Sequence, residues 1–168
     1  MNPLRLLLAA ALLAAPGCAS KDPMPSPVQS APPSHHHVEL VEAPAGEVAA
    51  VVRHELERAD REGRDLLVYV GASWCEPCQR FHRAAAAGVL DQSFPNLRLL
   101  DFDIDRDGAR LLQAGYTSNL IPLIALPAPD GRASGVQIEG SIKGEGAVGQ
   151  IAPRLANLIA ARRSAVQR

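Results

Sequence analysis

Asp65-Leu66-Leu67-Val68-Tyr69-Val70-Gly71-Ala72 runs through Ser73 into Trp74-Cys75-Glu76-Pro77-Cys78. The first stretch is a near-continuous apolar run bounded by charge and glycine, the pattern of an interior strand covered on both faces. Gln79 to Leu90 can be helical. Pro77 suits the start of such a helix, because the first turn has no intrahelical N–H bonds to lose. Strand, then Cys-x-x-Cys, then helix is the arrangement expected of a thiol–disulfide redox site. Cys75 lies nearest the free N–H groups of the first turn. Those groups and the helix dipole favour its thiolate and should bring its pKa below the usual value of about 8.5. Cys78 is placed to attack a mixed disulfide and release the product.

Cys-x-x-Cys is also half of a structural zinc site, which would need two further ligands. Cys18 is the only other cysteine and lies in the leader. His82, one helical turn beyond Cys78, and His54 upstream leave a mixed site open, and an inert structural disulfide stays open too. Redox chemistry is the favoured expectation, with no metal and no cofactor besides the Cys75–Cys78 pair.

The chain has 168 residues, 47% hydrophobic and 21% charged, which is enough for one ordinary domain plus extensions. A net charge of -1 and 4% aromatic residues supply neither a basic surface nor stacking platforms, so nucleic acid is not an expected partner. Residues 1–18 form a leader. Arg5 provides a short positive start, and Leu6 to Ala15 is an apolar run too short to span a bilayer but right for a signal-peptide core. It ends Ala15-Pro16-Gly17-Cys18, which resembles the lipobox of bacterial lipoproteins, although Ala15 and Pro16 depart from the usual pattern. The resemblance implies lipid on Cys18, attachment to a lipid bilayer and a periplasmic location. Ala19, standing where Asp would retain such a protein in the inner membrane, implies the outer one. Plain secretion without lipid is the alternative. Residues 19–41 are expected to form a Pro/Ser-rich tether, with His35-His36-His37 as a solvated patch in it rather than a metal site.

The folded domain is expected over 42–163, with a tail over 164–168. Apolar positions at Val48, Val51, Val52, Leu56 and Ala59 give a helix with one buried face, ended by Gly63. Gly88 should loosen the end of the cysteine helix, with Val89, Leu90 and Phe94 packed beneath it. Leu97 to Ile104 reads as a central strand whose acidic end, Asp101 and Asp103, is solvated, and Asp107 can cap a short helix to Ala114. Ile121 to Leu126 reads as a strand with Pro122 at its entrance, which suggests an edge strand or a special peptide bond. Pro127 to Arg132 is a turn, Gly135 to Glu139 the return strand, and Ile151 to Ala161 the closing helix. Sheet in the middle and helices on both faces is the economical way to bury these stripes.

The combination of Trp74-Cys75-Glu76-Pro77-Cys78, the preceding apolar strand and Ile121-Pro122 resembles the thioredoxin family from about Glu42 to Ala161. The resemblance implies an α/β thioredoxin fold, with a central mixed sheet of four to five strands and helices on both faces. It implies a cis bond before Pro122 and a proline facing the cysteines, so that neighbouring backbone, Ile121 included, pairs with an extended substrate, while Trp74 shields one side of the site. Three departures stand out. Tyr69 occupies the position of a buried aspartate that helps deprotonate the resolving cysteine, so another base, a bound water or slower resolution is implied. Glu76 follows the first cysteine, as in extracytoplasmic thioredoxins that reduce apocytochrome c, but the insertion those proteins carry has little room here. Leu123 replaces the usual threonine after the proline.

The expected activity is extracytoplasmic thiol–disulfide exchange by a monomer that reduces disulfide-containing client proteins and is recycled by a membrane redox partner. The negative charge of Glu76 beside the pair points towards reduction. A disulfide-forming oxidase and a non-catalytic adaptor are the alternatives.

Overall fold

The computed structural model describes residues 37–166. The leader, Cys18 and most of the tether lie outside the described residues. Nine elements follow in the order β1 (Glu39–Glu42), α1 (Val48–Glu62), β2 (Asp65–Gly71), α2 (Glu76–Ala86), β3 (Leu97–Asp103), α3 (Ile104–Gln113), β4 (Leu123–Pro127), β5 (Ala133–Glu139) and α4 (Ala147–Val166). The strands form one mixed sheet in the order β1-β3-β2-β4-β5. β3 is parallel to both β1 and β2, β4 is antiparallel to β2, and β5 closes the hairpin with β4.

Strand alternation divides the core into two layers. Leu67 and Tyr69 of β2, Leu97 and Leu99 of β3, and Ile124 of β4 pack against Phe81 of α2 and Ile151, Leu155 and Leu158 of α4. Leu66, Val68 and Val70, with Leu100 and Phe102, pack on the other face against Val48, Val52 and Leu56 of α1 and Leu111 of α3. The period of two along each strand thus serves two faces at once, which is why β2 reads as continuously apolar. α1 is capped by the carboxylate of Glu47, which accepts from the N–H groups of Ala49 and Ala50. It ends at Gly63, whose φ of 69° is the left-handed region that glycine enters without steric cost.

The structure corrects several expectations. Glu39–Glu42, assigned to the tether up to residue 41, is an edge strand paired with Arg98 to Asp101. β4 is interior, bonded to β2 and β5, so Pro122 marks a special bond and not an edge: Ile121-Pro122 is cis. Val89 is exposed, whereas Leu90 and Phe94 are buried as expected. α3 is capped by Asp103, which accepts from Asp105 and Arg106 N–H, while Asp107 sits inside the helix, buried and paired with Arg106 and Arg110. α4 starts at Ala147 and runs through Pro153 into the supposed tail, to Val166. The buried face Ala147, Ile151, Leu155, Leu158 keeps helical spacing across the proline and the glycines before it.

Candidate active site

β2 ends at Gly71, and the chain turns through Ala72, Ser73 and Trp74 into α2. Cys75 N–H donates to the Ala72 carbonyl, which closes this turn. Cys75 is then the N-cap of α2, and its Sγ accepts from Cys78 N–H at 3.3 Å. A helix start leaves its first N–H groups without intrahelical partners, and here one of them is aimed at the first sulfur. Cys75 and Cys78 are joined in a disulfide with their Cα atoms 5.2 Å apart. Both are buried, at 5% and 2% exposure. Pro77 occupies the first turn, where its missing N–H costs nothing.

The neighbours of the pair come from four elements. Trp74 is 66% exposed, and its Nε1–H donates to Asp105 Oδ2 at 2.8 Å, which ties the indole to the first turn of α3. Glu76 is held by Arg80, one helical turn on, and by the Gly144 N–H. The Arg80 hydrogen bond and, against some desolvation, the Gly144 N–H keep the Glu76 carboxyl below the usual carboxylate range. Arg80 in turn reaches Glu145 at 2.6 Å. Glu76 thus stays ionised next to Cys75 in the chain, and its charge is matched by the Arg80 guanidinium. Val70 pairs with Leu123, so Ile121 and the buried Pro122 lie beside the end of β2 from which the cysteine loop leaves. Gly140 N–H donates to the Pro122 carbonyl at 2.9 Å.

Beneath Cys78 the site continues in a direction that motif matching misses. Tyr69 is fully buried, with its ring stacked on Phe81 at 5.6 Å. Burial, and then the Asp101 charge, push its hydroxyl pKa far above the ordinary value, so Tyr69 stays neutral and is no substitute for a carboxylate base. Gly71 leaves room for it: a Cβ there would come within 2.8 Å of the Tyr69 ring. Asp101 is the residue opposite Tyr69 in the β2–β3 register, and it continues the Leu97, Leu99 face of β3 towards α2. Its carboxylate is 25% exposed and lies 3.6 Å from His82 Nε2. The solvated strand end expected from the sequence is therefore a largely buried carboxyl, raised to about 6 by desolvation and by Asp103 and Glu42 nearby. His54 stands elsewhere, beside Glu55 on α1. Among the described residues no group of three or more His, Cys, Asp or Glu could hold a metal ion.

A mixed sheet between helix layers, with a disulfide closed across the first turn of the helix after the central strand, defines a thioredoxin fold carrying a redox-active Cys-x-x-Cys, and so a thiol–disulfide oxidoreductase. Residues 49–129 match the family model described as thioredoxin-like. Among solved structures the chain is similar to a poplar thioredoxin h, at 23% identity over 74% of this chain and 95% of that one, with a TM-score of 0.45. It is similar to a thioredoxin from Halobacterium salinarum, at 21% identity over 77% and 93% with a TM-score of 0.41. Oxidised thioredoxin O1 from Arabidopsis thaliana gives 19% identity over 74% and 96% with a TM-score of 0.41. A search of curated proteins returned no match.

Proposed function

We propose that the protein is an extracytoplasmic reductase of protein disulfides, held at a bilayer by lipid on Cys18 and recharged by a membrane redox partner. In the reduced enzyme the Cys75 thiolate attacks a client disulfide and forms a mixed disulfide. Cys78 then attacks Cys75 Sγ, the client leaves reduced, and the Cys75–Cys78 bond closes.

The observation that carries the direction is how the charge around Cys75 is committed. Its sulfur accepts the Cys78 N–H, a bond that would favour the thiolate if kept in the reduced protein. Arg80, the cation that holds the neighbouring Glu76, is shared with Glu145. A strongly oxidising pair needs a strongly stabilised thiolate, and this arrangement supports only a moderate one. Equilibration of the full chain in glutathione or dithiothreitol buffers should give a potential of about -250 mV or lower, on a family scale of about -270 to -120 mV. A value near -120 mV would reverse the assignment to an oxidase, and a pair inert towards small disulfides would make the protein an adaptor.

The membrane attachment is supported by the leader and its Ala15-Pro16-Gly17-Cys18 end, with Ala19 favouring the outer membrane. Among the described residues no helix is long and apolar enough to cross a membrane. Cys18→Ser should move the full chain from the membrane fraction to the soluble fraction. Membrane association unchanged by that substitution would rule out a lipid anchor at Cys18.

A further inference from the structure

The resolution step sets a requirement of its own. Cys78 is 2% exposed, and burial in apolar surroundings raises a thiol pKa. Yet its thiolate is the attacking species, so its proton must pass to an acceptor close by, directly or through water. Tyr69, stacked against the same helix, stays protonated and cannot take it.

A cleft of about 520 Å³ opens under this part of α2, lined by Cys78, His82, Asp101, Gly71 and Asp103 among others. His82 lies one helical turn beyond Cys78, on the same face of α2. Its Nε2 is fully buried and makes no hydrogen bond, as is also true of the Tyr69 hydroxyl. His82 lines this cleft, which is large enough for several water molecules, and a buried polar atom without a protein partner is the kind that ordered water satisfies. Asp101 Oδ2 lies 3.6 Å from His82 Nε2. We propose that Asp101, positioned by His82, is the proton acceptor for Cys78 in the resolution step, reached through water in this cleft. The inference rests on the thiol–disulfide exchange proposed above.

The Cys78 thiol gives its proton through water to Asp101. The thiolate forms a bond to Cys75 Sγ, the bond between Cys75 Sγ and the client sulfur breaks, and its electron pair leaves on the client sulfur, which takes a proton from solvent. Asp101 later returns its proton to water.

The surroundings suit Asp101 to this role. Desolvation, Asp103 on its own strand, Glu42 on β1 and Asp107 on α3 all disfavour its charge, while Arg106 on α3 favours it, and the balance puts it at about 6. Arg106 is itself engaged by Glu42 and Asp107. Arg83 of α2 lines the same cleft. Burial lowers the His82 pKa, so at neutral pH a neutral imidazole faces a carboxylate that is ionised but readily protonated, the condition under which a base works best.

The test uses the full chain with Cys18→Ser, which removes the third thiol, reduced and mixed with a chromogenic aromatic disulfide. Attack by Cys75 releases one aromatic thiolate and resolution by Cys78 releases the second, so stopped-flow absorbance separates the steps. Asp101→Asn should slow the second phase about 100-fold at neutral pH and leave the first within about twofold. His82→Gln should slow the second phase less. In the protein with Asp101 intact, the second phase should show an inflection near pH 6, and Asp101→Asn should abolish it. A second phase with unchanged rate and pH profile in Asp101→Asn overturns the inference while leaving the oxidoreductase intact. Absence of the first phase overturns both. The pH profile of the protein with Asp101 intact needs no core substitution, so lack of that inflection is decisive even if Asp101→Asn does not fold.

Discussion

Glu76 and Arg80 show how one side chain resets the meaning of another. The glutamate after the first cysteine reads in isolation as a charge opposed to the thiolate. In the folded chain it is bound by Arg80 and Gly144 N–H, and Arg80 is shared with Glu145. Removing the carboxylate should therefore do more than delete a negative charge, because it also leaves Arg80 with Glu145 as its one remaining carboxylate partner among the described residues. Glu76→Gln is expected to lower the Cys75 thiol pKa by about half a unit, the scale of a screened surface charge, and to shift the potential towards oxidising values. The pH dependence of iodoacetamide alkylation of the reduced protein reads the first effect. A pKa that rises or stays constant would show that Arg80 does not reach the thiolate.

At the scale of elements, α2 is the platform on which the pair sits, and it is held to the sheet by few residues. Phe81, fully buried and stacked on Tyr69 at an interplanar angle of 10°, is the largest of them, with Cys78 and Ala85 on the same face. Phe81→Ala leaves a cavity against the Tyr69 ring, whose other ring neighbour, His82, is tilted by 52°, and should cost about 3–5 kcal/mol, read as a fall in the urea midpoint. A loss below about 1 kcal/mol would mean that the contacts of α2 with α4 suffice to hold it. The other link is Trp74 to Asp105, which joins the cysteine loop to the start of α3, so the strand ends on either side of the cleft are tied across its rim.

For the whole molecule, the buried Asp107 and the half-buried Asp101 pull the pH dependence of stability in opposite directions. Burial opposes the charge of Asp107, but hydrogen bonds from Arg106, Arg110 and the Asp103 N–H outweigh it and hold the group below its usual range. Its contribution is present above the unfolded value near 3.9 and is lost as pH falls through the folded one. Asp101 is raised to about 6. The folded state therefore holds that proton more tightly than the unfolded chain, and stability falls as pH rises from about 4 through about 6. The stability difference between the unaltered protein and Asp101→Asn, taken by urea denaturation, should decline by about 1–2 kcal/mol over that window after allowance for solvent screening. His82, kept neutral by burial, adds a slope of opposite sign that is present in both proteins. A difference independent of pH would show that Asp101 titrates like an exposed carboxyl.

Much of this was legible in the chain itself. The apolar run of β2, the helix punctuation at Gly63, the Cys-x-x-Cys at a helix start and the turn between β4 and β5 follow from local chemistry, and they suffice for the layer order and the reacting atoms. Glu39–Glu42 was hidden because four residues at a sheet edge carry too short a pattern to separate from a tether, and their identity lies in their pairing with β3. The length of α4 was hidden because the glycines up to Gly149 read locally as a flexible approach, while burial of Ala147 and Ile151 carries the helix back to Ala147. Asp103 and Asp107 carry the same side chain four residues apart, and only packing makes one a cap and the other a buried ion-pair partner. Asp101 is the furthest reach of tertiary structure. Its charge is written in the sequence, but the low-dielectric position beside Tyr69 and across from His82 exists only where strand register and helix packing bring three separate segments together, and that juxtaposition sets both its proton affinity and what it can do for Cys78.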